Sequence, residues 1–158
     1  MIIPLRAETY SGQFQDGLKL SYRHWNSERE EFTGYTHQEF LRADHKGRQT
    51  TLETQINIKS DGEATRRESV WYVYPSVKPI EYLEEDLRED LHIVNFYEGN
   101  NILTTLRQDE KTVEFEMELK EKPAVSFELL LPFLRKNLEQ IRTSENYLFT
   151  LYLSLIHI

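Results

Sequence analysis

Short runs of alternating apolar and polar residues, separated by tight-turn signals, dominate this 158-residue sequence. The clearest run is 113–120, where Val113, Phe115 and Met117 alternate with three glutamates. Successive residues of a strand point to opposite faces, so this alternation predicts a strand with one buried and one solvated face. The other predicted strands are 8–14, 18–25, 34–43, 52–59, 64–74, 91–97, 102–107 and 147–153.

Glycine-containing turn signals connect many of these runs directly. Examples are Asp16-Gly17, Lys46-Gly47 and Asp61-Gly62. Such dipeptides allow the positive φ that a hairpin turn requires, and consecutive hairpins produce an antiparallel meander. In the run 52–59, the side of Leu52 and Ile56 is predicted to be buried, whereas the side of Glu53 is predicted to be wet. From Pro79 to residue 91 the spacing predicts either a short helix or an irregular acidic loop.

One late segment, 127–141, instead has helical periodicity, and its apolar residues form a stripe about 100° wide. Ser126 is placed to cap this helix, and Pro132 predicts a kink or a restart within it. The predicted fold is therefore mostly β (α+β): a curved antiparallel meander sheet or half-barrel of about nine strands. One amphipathic helix packs on its concave face, against the side of Val113, Phe115 and Met117 or their neighbours. The stripe consists of Phe127, Leu130, Leu131, Leu134, Leu138 and Ile141.

Charge and composition exclude several classes of function. The formal net charge is −8 at pH 7, and an acidic surface is repelled by nucleic acids and by anionic lipid headgroups. The sequence contains no cysteine, which excludes disulfides, thiolate catalysis and zinc–thiolate sites. No apolar run reaches the length of a membrane span. The sequence also has no P-loop, HExxH or GxSxG motif. We therefore predict no catalytic residues, no metal site and no cofactor.

The two ends bear on domain organisation. Residues 1–152 are predicted to form a single domain that continues further in the native protein. Residues 153–158 match the translation of a transposase mosaic-end sequencing adaptor, with an ordinary apolar strand end as the alternative. The stretch before Arg6 is too short for the apolar region of a signal peptide. A bacterial periplasmic or envelope location is therefore expected if an export signal lies upstream, and a cytoplasmic one otherwise.

Large aromatic residues suggest a ligand site. Trp25, Trp71, Tyr72, Phe96 and Phe133 can line a cavity between the sheet and the helix, or they can simply fill the core. The first reading predicts a non-enzymatic binding or scaffolding domain that holds an apolar small molecule, a lipid or a protein partner. A hydrolase that uses convergent carboxylates is the second hypothesis. A protein-interaction domain with a filled core is the third.

The order of the predicted elements adds a family resemblance. A strand at 10–14 enters the Asp16-Gly17 hairpin, meander strands follow, and the helix 127–141 precedes Tyr147-Leu148-Phe149. This arrangement resembles bacterial envelope proteins of the lipoprotein-localisation-factor type, and it covers most of the chain. The resemblance implies a half-barrel with helices closing its open face. It is architectural, and it implies no individual site residue.

Overall fold

The computed structural model describes residues 16–118, 124–126, 129–144 and 150–152. Of these residues, 68% lie in strands. Eight strands follow one another in chain order across one antiparallel sheet, which confirms the predicted mostly-β meander. They are β1 Leu18–Asn26, β2 Glu31–His45, β3 Arg48–Lys59, β4 Ala64–Val73, β5 Lys78–Asp86, β6 Leu91–Glu98, β7 Asn101–Gln108 and β8 Lys111–Glu118.

A second, smaller unit of structure follows the sheet. Strands β9, Ala124–Ser126, and β10, Thr150–Tyr152, form a short parallel pair. Between them lie the helices α1, Leu130–Lys136, and α2, Leu138–Thr143. The main sheet is open and uncurled, so the predicted half-barrel is not confirmed. The strand predicted at 8–14 and the tail 153–158 fall outside the described residues.

The acidic segment after Pro79 forms strand β5, and the predicted helix or loop is wrong there. Both neighbouring strands, β4 and β6, pair with it in antiparallel register. Its helix-like spacing misleads because the residues that it buries are Glu81, Tyr82 and Glu84. The Tyr82 hydroxyl donates to Glu84 Oε2 at 2.7 Å, which partly offsets the cost of burying the carboxylate.

Two short helices replace the single predicted one. Asn137, with φ −99° and ψ 12°, separates them, and its side-chain amide donates to the carbonyl of Phe133 at 2.8 Å. Asparagine interrupts helices because its side chain competes for backbone groups. Pro132 is not the break, since it lies in the first turn of α1, where no intrahelical N–H bond is lost. Ser126 lies in β9, before α1 begins, so it is not the predicted cap.

The helical segment packs over the centre of the sheet. Leu129, immediately before α1, is 1% exposed and joins Val70, Tyr72, Val77 and Tyr82 in a buried cluster. The described cluster contains no residue of β8, so the predicted packing against that strand is corrected. Tyrosines on β4 and β5 provide larger apolar surfaces, and the β4–β5 turn adds the side chain of Val77. Tyr97 and Phe133 pack against the cluster.

Strand register divides the sheet into a helix face, which α1 covers, and an opposite face. On β3, Glu53 belongs to the helix face because it pairs with Val70, whereas Leu52 pairs with Trp71 on the opposite face. Glu53 is 5% exposed, and Leu52 is only half-buried. The faces predicted for this strand are therefore exchanged. The helix decides which face is buried, and the alternation of β3 alone does not reveal the helix position.

Gly34 permits a close approach between β2 and β3. Its φ is +154°, and a Cβ atom at this position would overlap the carbonyl oxygen of Ile58. Its partner on β1 is His24, next to the register shift between His24 and Trp25. Only glycine tolerates both the backbone angle and the contact. Gly34 thus helps to position the start of β2, which carries part of the site described below.

Candidate functional site

A cleft of about 460 Å³ lies between α1 and the helix face of strands β1 to β5. This volume is within the range of small-molecule sites. Five lining residues, mainly hydrophobic, form what we call the apolar rim: Tyr22, Val70, Tyr82, Leu130 and Leu134. Seven polar residues form what we call the polar floor: Thr36, Gln38, Glu53, Gln55, Asn57, Arg66 and Glu68. His24 completes the lining.

Strand register builds the polar floor from two rows of side chains. In one row, Gln38 of β2 pairs with Gln55 of β3, which pairs with Glu68 of β4. Thr36, Asn57 and Arg66 form the adjacent row in the same way. Directly opposed residues on neighbouring strands have Cβ atoms about 5 Å apart, so their polar groups can bond directly.

The first row is connected by side-chain amides. Gln38 Nε2 donates to Glu53 Oε1 at 2.5 Å and to Gln55 Oε1 at 3.4 Å. Gln55 Nε2 in turn donates to Glu68 Oε1 at 3.4 Å. From the rim, the Tyr22 hydroxyl donates to Gln38 Oε1 at 3.3 Å. Both glutamines therefore use their amide groups to hold the two carboxylates of the floor in place.

The second row fixes the tautomer of a histidine. The Thr36 hydroxyl donates to Asn57 Oδ1 at 2.6 Å, and its oxygen lies 2.7 Å from His24 Nε2. A hydroxyl has one proton, so the proton in the second contact comes from the imidazole. We therefore assign a protonated Nε2 to His24. Its ring extends the row onto β1.

Arg66 is the cation of the polar floor. Its Nε lies 2.8 Å from Glu68 Oε1, and its Nη2 lies 2.7 Å from Glu84 Oε2. Burial lowers the pKa of Arg66, but Glu68, Tyr82 and Glu84 raise it more, and the pKa is held above its ordinary value. The guanidinium is therefore charged throughout the working pH range. Glu84, which is 4% exposed, lies at the side of the cleft.

Among the described residues, the acidic and basic side chains in and beside the cleft are Glu53, Glu68, Glu84, Arg66 and His24. Electrostatic interactions are stronger in such a partly buried site than in water. Among the described residues, no group of histidines and acids has the arrangement of a metal site.

The five aromatic residues singled out from the sequence do not share one cavity. Tyr72 and Phe133 belong to the core beside the cleft. Trp71 and Phe96 lie on the opposite face, where both pair in register with Glu81. Trp25 is 60% exposed. None of the five lines the cleft, although the cleft is where the prediction expected a site, between sheet and helix.

Trp71 and Phe96 flank a separate cluster on the opposite face. The carboxylate of Glu81 lies 2.7 Å from His45 Nε2 and 2.8 Å from Lys46 Nζ. The His45 and Trp71 rings stack with centroids 4.8 Å apart, and Lys46 Nζ lies 4.3 Å from the Phe96 ring centroid. Stacking and cation–π contacts of this kind hold the two basic side chains over Glu81.

The residues of the polar floor were missed at the sequence level because polar positions of a strand usually face water. One signal was present. The side of β3 that was predicted to be wet carries Gln55 and Asn57, and β2 carries Thr36 and Gln38. A solvated face usually has lysine and glutamate at such positions. Runs of uncharged hydrogen-bonding side chains on two neighbouring strands are typical of buried polar networks, since these groups can satisfy one another.

Comparisons with known proteins provide no relative for this chain. No protein-family model, curated protein or solved structure matches it. The resemblance to lipoprotein-localisation-factor proteins therefore stays a prediction. In the described part of the chain, none of the helices has the length and apolar character that crossing a membrane requires.

Proposed function

We propose that this protein is a non-enzymatic binding domain whose cleft holds a small amphiphilic molecule. The observation that carries the proposal is the division of one cleft into an apolar rim and a polar floor. Clefts that combine apolar walls with a few convergent polar groups are typical ligand sites.

The polar floor changes the kind of ligand that we expect. A purely apolar molecule or lipid chain would cover the more exposed polar groups of the floor, such as Glu68, without replacing their contacts with water, and such desolvation is costly. An amphiphile avoids this cost because its polar group meets the floor. Its apolar part then contacts Leu130 and Leu134 of the rim.

Proton-detected NMR tests the location of binding. We expect 1-octanol, titrated into protein with labelled methyl groups, to shift the resonances of Leu130, Leu134 and Val70 in a saturable manner. The methyls of Leu103 and Val113 are internal controls, because both side chains are exposed and lie outside the cleft. Equal shifts at control and cleft methyls would indicate non-specific adsorption and would overturn the proposal.

A pair of leucine variants tests the rim. Leu134→Ala is expected to weaken 1-octanol binding by roughly tenfold, because the lost side chain is worth about 1.5 kcal/mol of apolar contact. Leu138→Ala is the matched control, since Leu138 is exposed on α2 and does not line the cleft. Equal affinities of the two variants would count against the cleft as the site.

A hydrolase is the second candidate function. The specific observation in its favour is that two carboxylates, Glu53 and Glu68, line the same cleft, as acid-pair hydrolysis requires. Hydrolysis of p-nitrophenyl glycosides by the purified protein, abolished in both Glu53→Gln and Glu68→Gln, would favour this function. Complete absence of turnover would leave the binding function as the better account.

A further inference from the structure

We propose that two copies of this chain form a dimer by packing the opposite faces of their sheets against each other. The inference concerns a different surface from the cleft and goes beyond the proposed binding function. It rests on three properties of the opposite face: its apolar side chains, its size and the arrangement of its charges.

The central strands carry large apolar side chains on the opposite face as well as on the helix face. Leu83 of β5 and Val94 of β6 are register partners in the middle of the opposite face, and Trp71 and Phe96 belong to the neighbouring row. All four are only half-buried, whereas Ile93 on the helix face is completely buried. An antiparallel sheet with one solvated face usually has polar residues there, so this composition is typical of a face that another surface covers.

The opposite face is large enough for a stable dimer interface. Eight strands of at least eight residues each make up the sheet. With strands about 4.8 Å apart and a rise of about 3.4 Å per residue, the face measures roughly 1,000 Å². A specific interface needs about 800 Å² from each partner. Helix α1 lies on the helix face and leaves this area accessible to a second copy.

Charges near the centre of the opposite face are arranged so that the face complements itself. The middle of the eight-stranded sheet lies between β4 and β5, where Arg67 and Glu85 are register partners. A two-fold axis parallel to the strands at this point places each Arg67 opposite the Glu85 of the second copy. Both side chains are exposed, and their charged atoms are 3.9 Å apart, so each can also reach a charge on the second copy. A two-fold interface requires such self-complementarity, whereas a site for a different partner does not.

The same axis matches the rest of the opposite face. It exchanges β3 with β6, so that Leu52 meets Phe96 of the second copy. It also exchanges β1 with β8. Lys19 and Glu114, at the two ends of one row that crosses all eight strands, then lie opposite each other. Apolar contacts provide affinity in interfaces between identical chains, and complementary charges fix the orientation.

Cysteine cross-linking tests which face is buried, because the chain has no cysteine of its own. Leu83 lies next to the proposed axis, so the cysteine of Leu83→Cys lies close to its own copy. Packed sheets are about 10 Å apart, a distance that a short bismaleimide linker bridges, and we expect a covalent dimer on denaturing gels. Val113→Cys is the matched control, because Val113 is an exposed apolar strand residue on the helix face. It should stay monomeric, and equal cross-linking of the two variants would overturn the proposal.

Charge reversal tests the position of the axis. Analytical ultracentrifugation should show a dimer with a dissociation constant of about 1 μM or lower. Arg67→Glu and Glu85→Arg should each weaken this dimer at least about tenfold, because like charges then meet. An equimolar mixture of the two variants should restore the affinity, since each copy again meets the opposite charge. Glu139→Arg, the same change at an exposed position on α2, is the matched control and should leave the affinity unchanged.

Recovery on mixing also shows that both variants are folded, because an unfolded chain cannot form the interface. A chain that sediments as a monomer at about 100 μM would overturn the proposal, including the case in which it then adsorbs to phosphatidylcholine vesicles through this face. A dimer that neither charge reversal weakens, or that Leu83→Cys does not cross-link, would overturn it as well, because the copies would then meet elsewhere. These results do not depend on ligand binding in the cleft, so the proposed function is tested separately.

Discussion

Arg66 links the exposed part of the site to a buried carboxylate. It forms ion pairs with Glu68 in the cleft and with Glu84 beside it, and the Tyr82 hydroxyl donates a hydrogen bond to Glu84. Arginine suits this position because its planar group serves two carboxylates at once and keeps its charge when partly buried. Lysine, a single point charge, would not replace both contacts.

Replacing Arg66 should therefore destabilise the fold. Arg66→Ala removes the guanidinium that pairs with Glu68 and with the buried carboxylate of Glu84, and we expect a loss of about 2–4 kcal/mol in the free energy of unfolding. Urea denaturation followed by circular dichroism measures this loss. Arg67→Ala is the matched control, because Arg67 faces the other side, is largely exposed and lies 3.9 Å from Glu85. Its effect should stay below about 1 kcal/mol, and equal losses would contradict a structural role for Arg66.

Individual residues show what sequence alone could predict of the site. Periodicity was sufficient to predict that a space between the sheet and the helix is where a cleft can form. Glu53 and Gln38 could not be placed, because the alternation of a strand defines two faces but not which face a distant helix will cover. Trp71 was singled out for its size, yet its ring packs on His45 on the opposite face.

Among the secondary-structure elements, the helical segment shows which features a sequence pattern can predict and which it cannot. Its amphipathic pattern was sufficient to predict a helix on the sheet. At the break, the side-chain amide of Asn137 shares the Phe133 carbonyl with its own backbone N–H, and periodicity does not detect such a contact. Strand β5 shows the reverse case, where pairing with two neighbours outweighs a helix-like spacing.

Leu129 should be the main apolar anchor of the helical segment. Leu129→Ala is expected to lower the free energy of unfolding by about 2–5 kcal/mol, because it removes a fully buried side chain from the core. The measurement is thermal or urea unfolding. Leu138→Ala, at a position that is 38% exposed, should cost less than about 1 kcal/mol. Similar costs for the two would show that the segment is not packed on the sheet as described.

At the scale of the whole molecule, the sheet is a meander in which each described strand pairs only with its neighbours in sequence. Tight turns made this order predictable, because local connections favour pairing of adjacent strands. The openness of the sheet was not predictable from alternation, which is the same in open and closed sheets. The cluster around Glu81 adds a contact between strands that are not adjacent, since it connects the end of the β2–β3 hairpin to β5.

Removing that connection should loosen one side of the molecule. Glu81→Ala deletes the contacts of both His45 and Lys46, and we expect amide hydrogen exchange in β2 and β3 to accelerate by about tenfold or more. Glu85→Ala is the control and should change the rate of amide hydrogen exchange little. Glu85 lies on the same strand and face, but its side chain is about 40% exposed and its charged neighbours are 3.7 Å away or further. Equal acceleration in β7 and β8 would indicate global destabilisation instead.

The contact of Lys46 and His45 with Glu81 also has a consequence for how the sheet comes apart. A ribbon of sequential hairpins can fray from its ends, one strand at a time, with each opening costing less than complete unfolding. The contact of His45 and Lys46 with Glu81 reaches past β4, so separating β2 and β3 from β4 must also break this bond to β5. Strands β2 and β3, which supply five of the seven residues of the polar floor, are thereby tied to the centre of the sheet.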